Sequence, residues 1–245
     1  MFDAGMFCTL AGFSSKSRST ACSVDKQTTG NDWSLTVIGT NSACKAICYS
    51  LDLLQVETYS LALFSYPTGV DGVPLKVETS RAARYCFLQE ISIRLLNSAS
   101  QWKTAGCNLT YTPDKEWWIT VGANPRKVVH TNCTVGCLET SDCNQNSTSS
   151  RVSGIYVTTQ LGKIGNYPRL QFCSMTGFVA TYRIKRKRHR HKKPSIGGDC
   201  LVSNDKNGTY YLENNIPTTA SNVHFTCAAQ CGCFEHVTHC YSLSF

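Results

Sequence analysis

Along the first 143 residues, apolar and polar positions alternate in short runs broken by turn residues. Leu75-Lys-Val-Glu-Thr79 and Ile91-Ser-Ile-Arg-Leu95 alternate strictly, which places one set of side chains on each face of a half-buried strand. Trp33-Ser-Leu-Thr-Val-Ile38, residues 59–64 and Trp117-Trp-Ile-Thr-Val121 are further runs rich in β-branched and aromatic residues. Turn chemistry separates them at Pro67-Thr-Gly69, Asp71-Gly72, Pro113-Asp114 and Asn124-Pro125. Only residues 46–54 admit a short helix. The pattern predicts an all-β region of sandwich type. Beyond it, residues 144–153 are polar and predict an exposed loop, while residues 155–159, 170–172 and 178–182 read as three more strands.

Cysteine content changes the picture from a plain β protein to a cross-linked one. Fifteen cysteines lie among 245 residues, spread from Cys8 to Cys240. Such usage belongs to an oxidising compartment. Four Asn-x-Ser/Thr sequons, at Asn108, Asn132, Asn146 and Asn207, agree with the secretory pathway and mark candidate glycosylation sites. The odd count leaves at least one thiol free, paired between chains, or waiting for a partner outside this chain.

Charge is concentrated in one place. Eight Lys/Arg fall within residues 183–193, and without them 16 basic residues face 16 acidic ones, so this run carries the whole net charge of +8. A run of this kind repels itself and is expected to be an exposed loop. Three readings stay open: a solvated linker, a furin-type cleavage site at Arg183-Ile-Lys185-Arg186, or a site for anionic glycans or lipid headgroups. No nucleic-acid partner is expected, because the chain is glycosylation-competent and neutral elsewhere. No run reaches the roughly 18 apolar residues of a membrane-spanning helix, and the N-terminus lacks the pattern of a signal peptide. A secreted glycoprotein with neither is expected to be a piece of a longer precursor.

The densest chemistry lies at residues 223–240. Cys227, Cys231, Cys233 and Cys240 fall within fourteen residues, and Cys231-Gly-Cys233 cannot easily bridge to itself. Each of these sulfurs is expected to reach a different partner and to pin a short loop, holding Phe234 out in solvent, with Phe225 the other nearby aromatic. His224, His236 and His239 flank the cluster and are candidate pH sensors, since histidine changes charge between about pH 5 and 8. A Cys/His zinc site is the competing use of these side chains; the sequons and the remaining cysteines favour disulfides, so no metal is expected. No nucleophile elbow, phosphate-binding glycine loop or zinc-protease motif is present, and the chain is expected to be no enzyme and to carry no cofactor.

Cys231-Gly-Cys-Phe234, with Cys227 upstream and Cys240 downstream, resembles the fusion-loop region of phlebovirus-type Gc glycoproteins, the class II membrane fusion proteins with relatives among retroelement envelopes. In this chain Gln230 runs straight into Cys231, without the longer insert usual in that family. Cys8, Cys22, Cys44 and Cys48 resemble the family's opening pattern. Cys133-Thr-Val-Gly-Cys137 with Cys143 resembles the cluster before its fusion loop. The resemblance implies a disulfide-rich, elongated class II architecture, incomplete here, holding parts of the first and second domains. On that basis residues 1–143 form a sandwich-like first domain with interleaved second-domain strands. Residues 144–199 form a variable β region with the basic loop 183–193, and residues 200–245 a fusion-loop-like region. It also implies an envelope glycoprotein that inserts Phe225 and Phe234 into the target bilayer, trimerises, and works with a partner subunit at a virion or cell membrane. The alternative is a secreted, disulfide-rich β protein that binds a partner, a decayed envelope without fusion activity.

Overall fold

The computed structural model describes residues 6–27, 32–50, 60–67, 72–77, 84–95, 102–114, 116–122, 129–139, 143–154, 159–166, 171–183, 198–204, 209–214 and 223–234. Among them the chain is all-β. The strands are β1 Met6–Ser15, β2 Ser19–Lys26, β3 Trp33–Ile38, β4 Ser42–Ser50, β5 Ser60–Pro67 and β6 Leu75–Lys76. There follow β7 Arg84–Leu95, β8 Trp102–Tyr111, β9 Trp117–Val121, β10 Val129–Glu139 and β11 Cys143–Gly154. Last come β12 Thr159–Asn166, β13 Gln171–Arg183, β14 Gly198–Asn204, β15 Thr209–Asn214 and β16 Val223–Phe234. They form three antiparallel sheets, in the orders β12-β15-β14-β1-β4, β3-β2-β7-β10-β5 and β11-β16-β13-β8-β9-β6.

Six disulfides join these strands, and their pattern recurs three times. Cys8–Cys48 encloses Cys22–Cys44, Cys86–Cys137 encloses Cys107–Cys133, and Cys173–Cys231 encloses Cys200–Cys227. Each repeat therefore holds four cysteines, paired first to fourth and second to third. The outer bridges join directly opposed residues on neighbouring strands, with Cα separations of 4.0, 4.1 and 4.0 Å. The inner bridges span 5.8, 6.0 and 5.7 Å and run from one sheet to another.

Register repeats as well. Three residues after the first cysteine of each repeat, at Ala11, Gln89 and Thr176, the pairing slips by one residue. Such a bulge adds local twist to a strand and helps a sheet curl around a shared core. Two residues further on, Phe13, Ile91 and Phe178 lie opposite the third cysteine of their own repeat, Cys44, Cys133 and Cys227. On their other side lies the second cysteine of a different repeat, Cys200, Cys22 and Cys107. Each repeat thus lends its second-cysteine strand to the next sheet, and the third lends its own back to the first. The three sheets close into a cycle.

One core lies between them. Leu10, Leu88 and Met175, each two residues after the first cysteine, are fully buried, as are Phe13, Ile91 and Phe178. Phe13 and Phe178 meet at 4.6 Å between ring centroids, Phe7 and Phe87 at 5.9 Å, and Tyr85 and Trp117 edge to face at 5.8 Å. Each pair joins two different sheets, and each buried side chain contributes about 1.5–3 kcal/mol. Buried hydroxyls add polar ties. Tyr49 on β4 donates to the Cys173 carbonyl on β13, and Tyr85 on β7 donates to the Gln230 carbonyl on β16. Gly106 permits the close approach of β8 to β13. Its φ is +124°, and a Cβ there would lie 1.9 Å from the Phe178 carbonyl oxygen.

Three sequence expectations are corrected by this fold. Residues 144–153, expected as an exposed loop, are strand within β11, because backbone pairing with β16 does not require apolar side chains. Residues 46–50, where a helix was conceivable, belong to β4. The runs 170–172 and 178–182, expected as two strands, are joined in the described residues 171–172 and 178–182 by β13, a single strand from Gln171 to Arg183.

Candidate functional site

The cysteine cluster at 227–233, expected as a stapled loop, is part of strand β16, flanked by β11 on one side and β13 on the other. Cys227 and Cys231 are fully buried and bonded to Cys200 and Cys173. The two sulfurs reach different partners, and neither is available to zinc. Among the described residues no group of three or more His, Cys, Asp or Glu is placed to hold a metal ion.

The remaining residues of the cluster lie around the end of this strand. Cys233 stands opposite Gln171 on β13 and Asn144 on β11, and Phe234, the last residue of β16, stands opposite Cys143. Phe225 pairs with Ala180 and Gly154, and His224 with Thr181. His236, His239 and Cys240 lie outside the described residues, as do Lys185 and Arg186. Arg183 ends β13, opposite Trp102.

The sequons are placed on strands where the structure describes them. Asn108 is half-buried on β8, opposite Gly177 and Thr120. Asn132 is half-buried on β10, and its Nδ2, the atom that would carry a glycan, lies 3.5 Å from both carboxylate oxygens of Glu90. Its Oδ1 accepts from the Ser65 hydroxyl at 3.4 Å. Asn146 lies within β11, in the register shift between Asn144 and Thr148. Asn207 lies outside the described residues.

What the sequence reading missed is the equivalence of three segments. Cys44-Lys-Ala-Ile-Cys48, Cys133-Thr-Val-Gly-Cys137 and Cys227-Ala-Ala-Gln-Cys231 share one spacing and one structural role. The signal was available, since each follows two more widely spaced cysteines, and a search for internal repeats finds it. Their surroundings differ. Residues 227–231 are buried throughout, and Cys133, Val135, Gly136 and Cys137 are buried with Thr134 half-buried. In β4, by contrast, Ala43, Lys45 and Cys48 are exposed, and Cys44, Ala46 and Ile47 only half-buried.

A second exposed strand lies next to this one in the chain. Leu35, Val37 and Ile38 of β3 are 41%, 44% and 59% exposed, and β3 ends at the turn that leads into β4. Burial raises the Tyr49 hydroxyl well above the usual tyrosine value, and nearby Tyr210, also raised by burial, adds to the effect. Tyr49 thus stays a neutral donor to Cys173, which in turn donates its own N–H to the Tyr49 oxygen at 3.2 Å. Comparison with protein-family models, curated proteins and solved structures finds no match. Six disulfides mark an oxidising, secretory or extracellular environment. No helix among the described residues is long and apolar enough to cross a membrane.

Proposed function

We propose that this chain is a secreted, disulfide-stapled β scaffold that works by binding a partner at its surface. The observation that carries this reading is the threefold recurrence of the staple. Cys227 and Cys231, two of the four cysteines in the segment whose Cys231-Gly-Cys-Phe234 resembles a fusion loop, make the same bonds as their counterparts in β4 and β10. A device used three times to hold a core together is accounted for by stability. Burial of Cys227 and Cys231 inside an interior strand supports the same reading, because both sulfurs fasten the core.

The class II fusion reading rests on Phe225 and Phe234, with bilayer insertion, trimer formation and an envelope partner subunit following from the resemblance. Liposome flotation of the disulfide-intact chain at about pH 5.5 separates the two, since histidines near their reference pKa of about 6.5 are then largely charged. The expected result is no flotation by the wild type. Flotation of the wild type that is lost in Phe234→Asp would overturn the binding scaffold in favour of the fusogen, because a carboxylate carried into hydrocarbon is costly.

A further inference from the structure

The outer edges of the three repeat-closing strands are treated differently. In the second sheet β5 lies against the outer edge of β10, with Tyr66 opposite Cys133, Ser65 opposite Thr134, Phe64 opposite Val135 and Ala62 opposite Cys137. In the third sheet β11 lies against the outer edge of β16, with Val152 opposite Cys227, Arg151 opposite Ala228 and Thr148 opposite Cys231. Both added strands are antiparallel and both keep the same register to the staple. In the first sheet no described strand pairs with the outer edge of β4. The difference is also visible in exposure, as Cys48 is exposed where Cys137 and Cys231 are fully buried.

Backbone geometry makes that edge adhesive. The Cys8–Cys48 Cα separation of 4.0 Å marks a non-hydrogen-bonded pair, so the N–H and C=O of Cys48 point away from β1. Equivalent groups of Cys137 and Cys231 face β5 and β11. Ladder groups of this kind, unpaired among the described residues, are a template for one more strand. Lys45 stands at the centre of the edge, exposed and with no acidic partner among the described residues. The exposed apolar residues of β3 adjoin it in the chain.

We propose that β4 accepts an extended segment of another protein as an added antiparallel strand, acidic opposite Lys45 and apolar at the positions on either side. The occupant's shape comes from β5 and β11, which fill the equivalent place. Its apolar positions come from Phe64 and Tyr66, which pack against the core from opposite Val135 and Cys133, the counterparts of Ala46 and Cys44. Its charge comes from Lys45. A second copy of this chain suits the edge less well. Pairing β4 with its own mate about Ala46 sets the two Lys45 side chains on one face, diagonal neighbours about 7–8 Å apart. This proposal rests on the partner-binding reading above and gives that partner its chemistry.

The test uses a fluorescent peptide with the sequence of residues 60–67 carrying Ser65→Asp, which the register sets opposite Lys45, and its Ser65→Lys counterpart. Anisotropy titrations are made on the secreted, disulfide-intact full chain and on Lys45→Glu. Lys45 is exposed, and mass mapping of the disulfides confirms that the variant keeps the fold. The wild type should bind the acidic peptide about tenfold more tightly than the basic one, and Lys45→Glu should reverse that order. Absence of saturable binding, or binding that ignores both charges, would overturn the proposal. So would sedimentation showing a wild-type dimer whose affinity Lys45→Glu changes, which would give the edge to a second copy. Flotation does not depend on β4, so a negative result here leaves the scaffold reading to be judged on its own experiment.

Discussion

The strands β4 and β16 carry the same Cys-x-x-x-Cys, make the same two bridges and keep the same bulged register to their neighbours. One is exposed along much of its length and the other is buried between two strands. The difference is that β11 covers β16, whereas no described strand covers β4. Covalent pattern therefore sets which strands are joined, while burial depends on what non-local chain lies outside them. A staple can be an interior fastener in one repeat and the rim of a surface in another.

The sharpest way to break this comparison is to truncate one apolar residue on each side, the first on β13 opposite β16 and the second on β4 itself. Phe178, fully buried opposite Cys227, should cost about 3–5 kcal/mol on Phe178→Ala, measured by urea unfolding. Ile47→Ala on β4 should cost under about 1 kcal/mol, because its side chain is only half-buried. Equal losses would mean that Ile47 on β4 is as well packed as the core residue opposite β16.

Removing the inner bridges sharpens the same point. The loops closed by Cys22–Cys44 and Cys107–Cys133 span 22 and 26 residues, so their effect on the unfolded chain is nearly equal, about 3.5 kcal/mol each. Replacing both cysteines of each pair by alanine should cost about that much in the first repeat. In the second repeat the cost should be about 1 kcal/mol more, since both cysteines there are fully buried and the replacement leaves a void.

Tyr49 is the exception on β4, buried and bonded to the third repeat. Its folded pKa is raised, so the folded chain holds the proton more tightly than the unfolded chain does. The stability this contributes is complete below the unfolded value of about 10 and is lost as pH climbs from there toward the folded value. Unfolding midpoints of the wild type should therefore fall between about pH 10 and 11 more steeply than those of Tyr49→Phe, which has no proton to lose. Parallel curves would remove Tyr49 from the account.

The smallest effect concerns access. Limited reduction followed by alkylation and mass mapping should open Cys8–Cys48 before Cys86–Cys137 or Cys173–Cys231. Cys48 is exposed, while both cysteines of the other two outer bridges are fully buried. Release of a buried bridge first would show that exposure does not govern the order.

Much of this molecule was legible in the chain. Strict alternation at 91–95 and β-type runs at 33–38 and 117–121 gave strands β7, β3 and β9: a buried face imposes a period of two on β7 and β9, whereas the exposed β3 shows through its aromatic and β-branched residues. Pro113 and Asp114 sit at the turn between β8 and β9, and the cysteine content predicted an oxidised, cross-linked protein. Local composition failed at β11, where a polar stretch lies beside β16 through backbone groups common to every residue type. It failed also at 227–231, where close cysteines read as a loop.

By itself the sequence determined the all-β class, the disulfide chemistry and, in the spacing of its cysteines, a threefold repeat waiting to be noticed. Only the tertiary structure decided that Cys231 bonds to Cys173 and Cys227 to Cys200, and that each repeat completes a sheet begun by another. It also decided that Lys45 and Cys48 are exposed while their counterparts are buried or half-buried. The physical reason is that a cysteine's partner and a strand's neighbour are chosen by the closure of long loops around a shared core, and residues close in sequence carry no record of what arrives from far away.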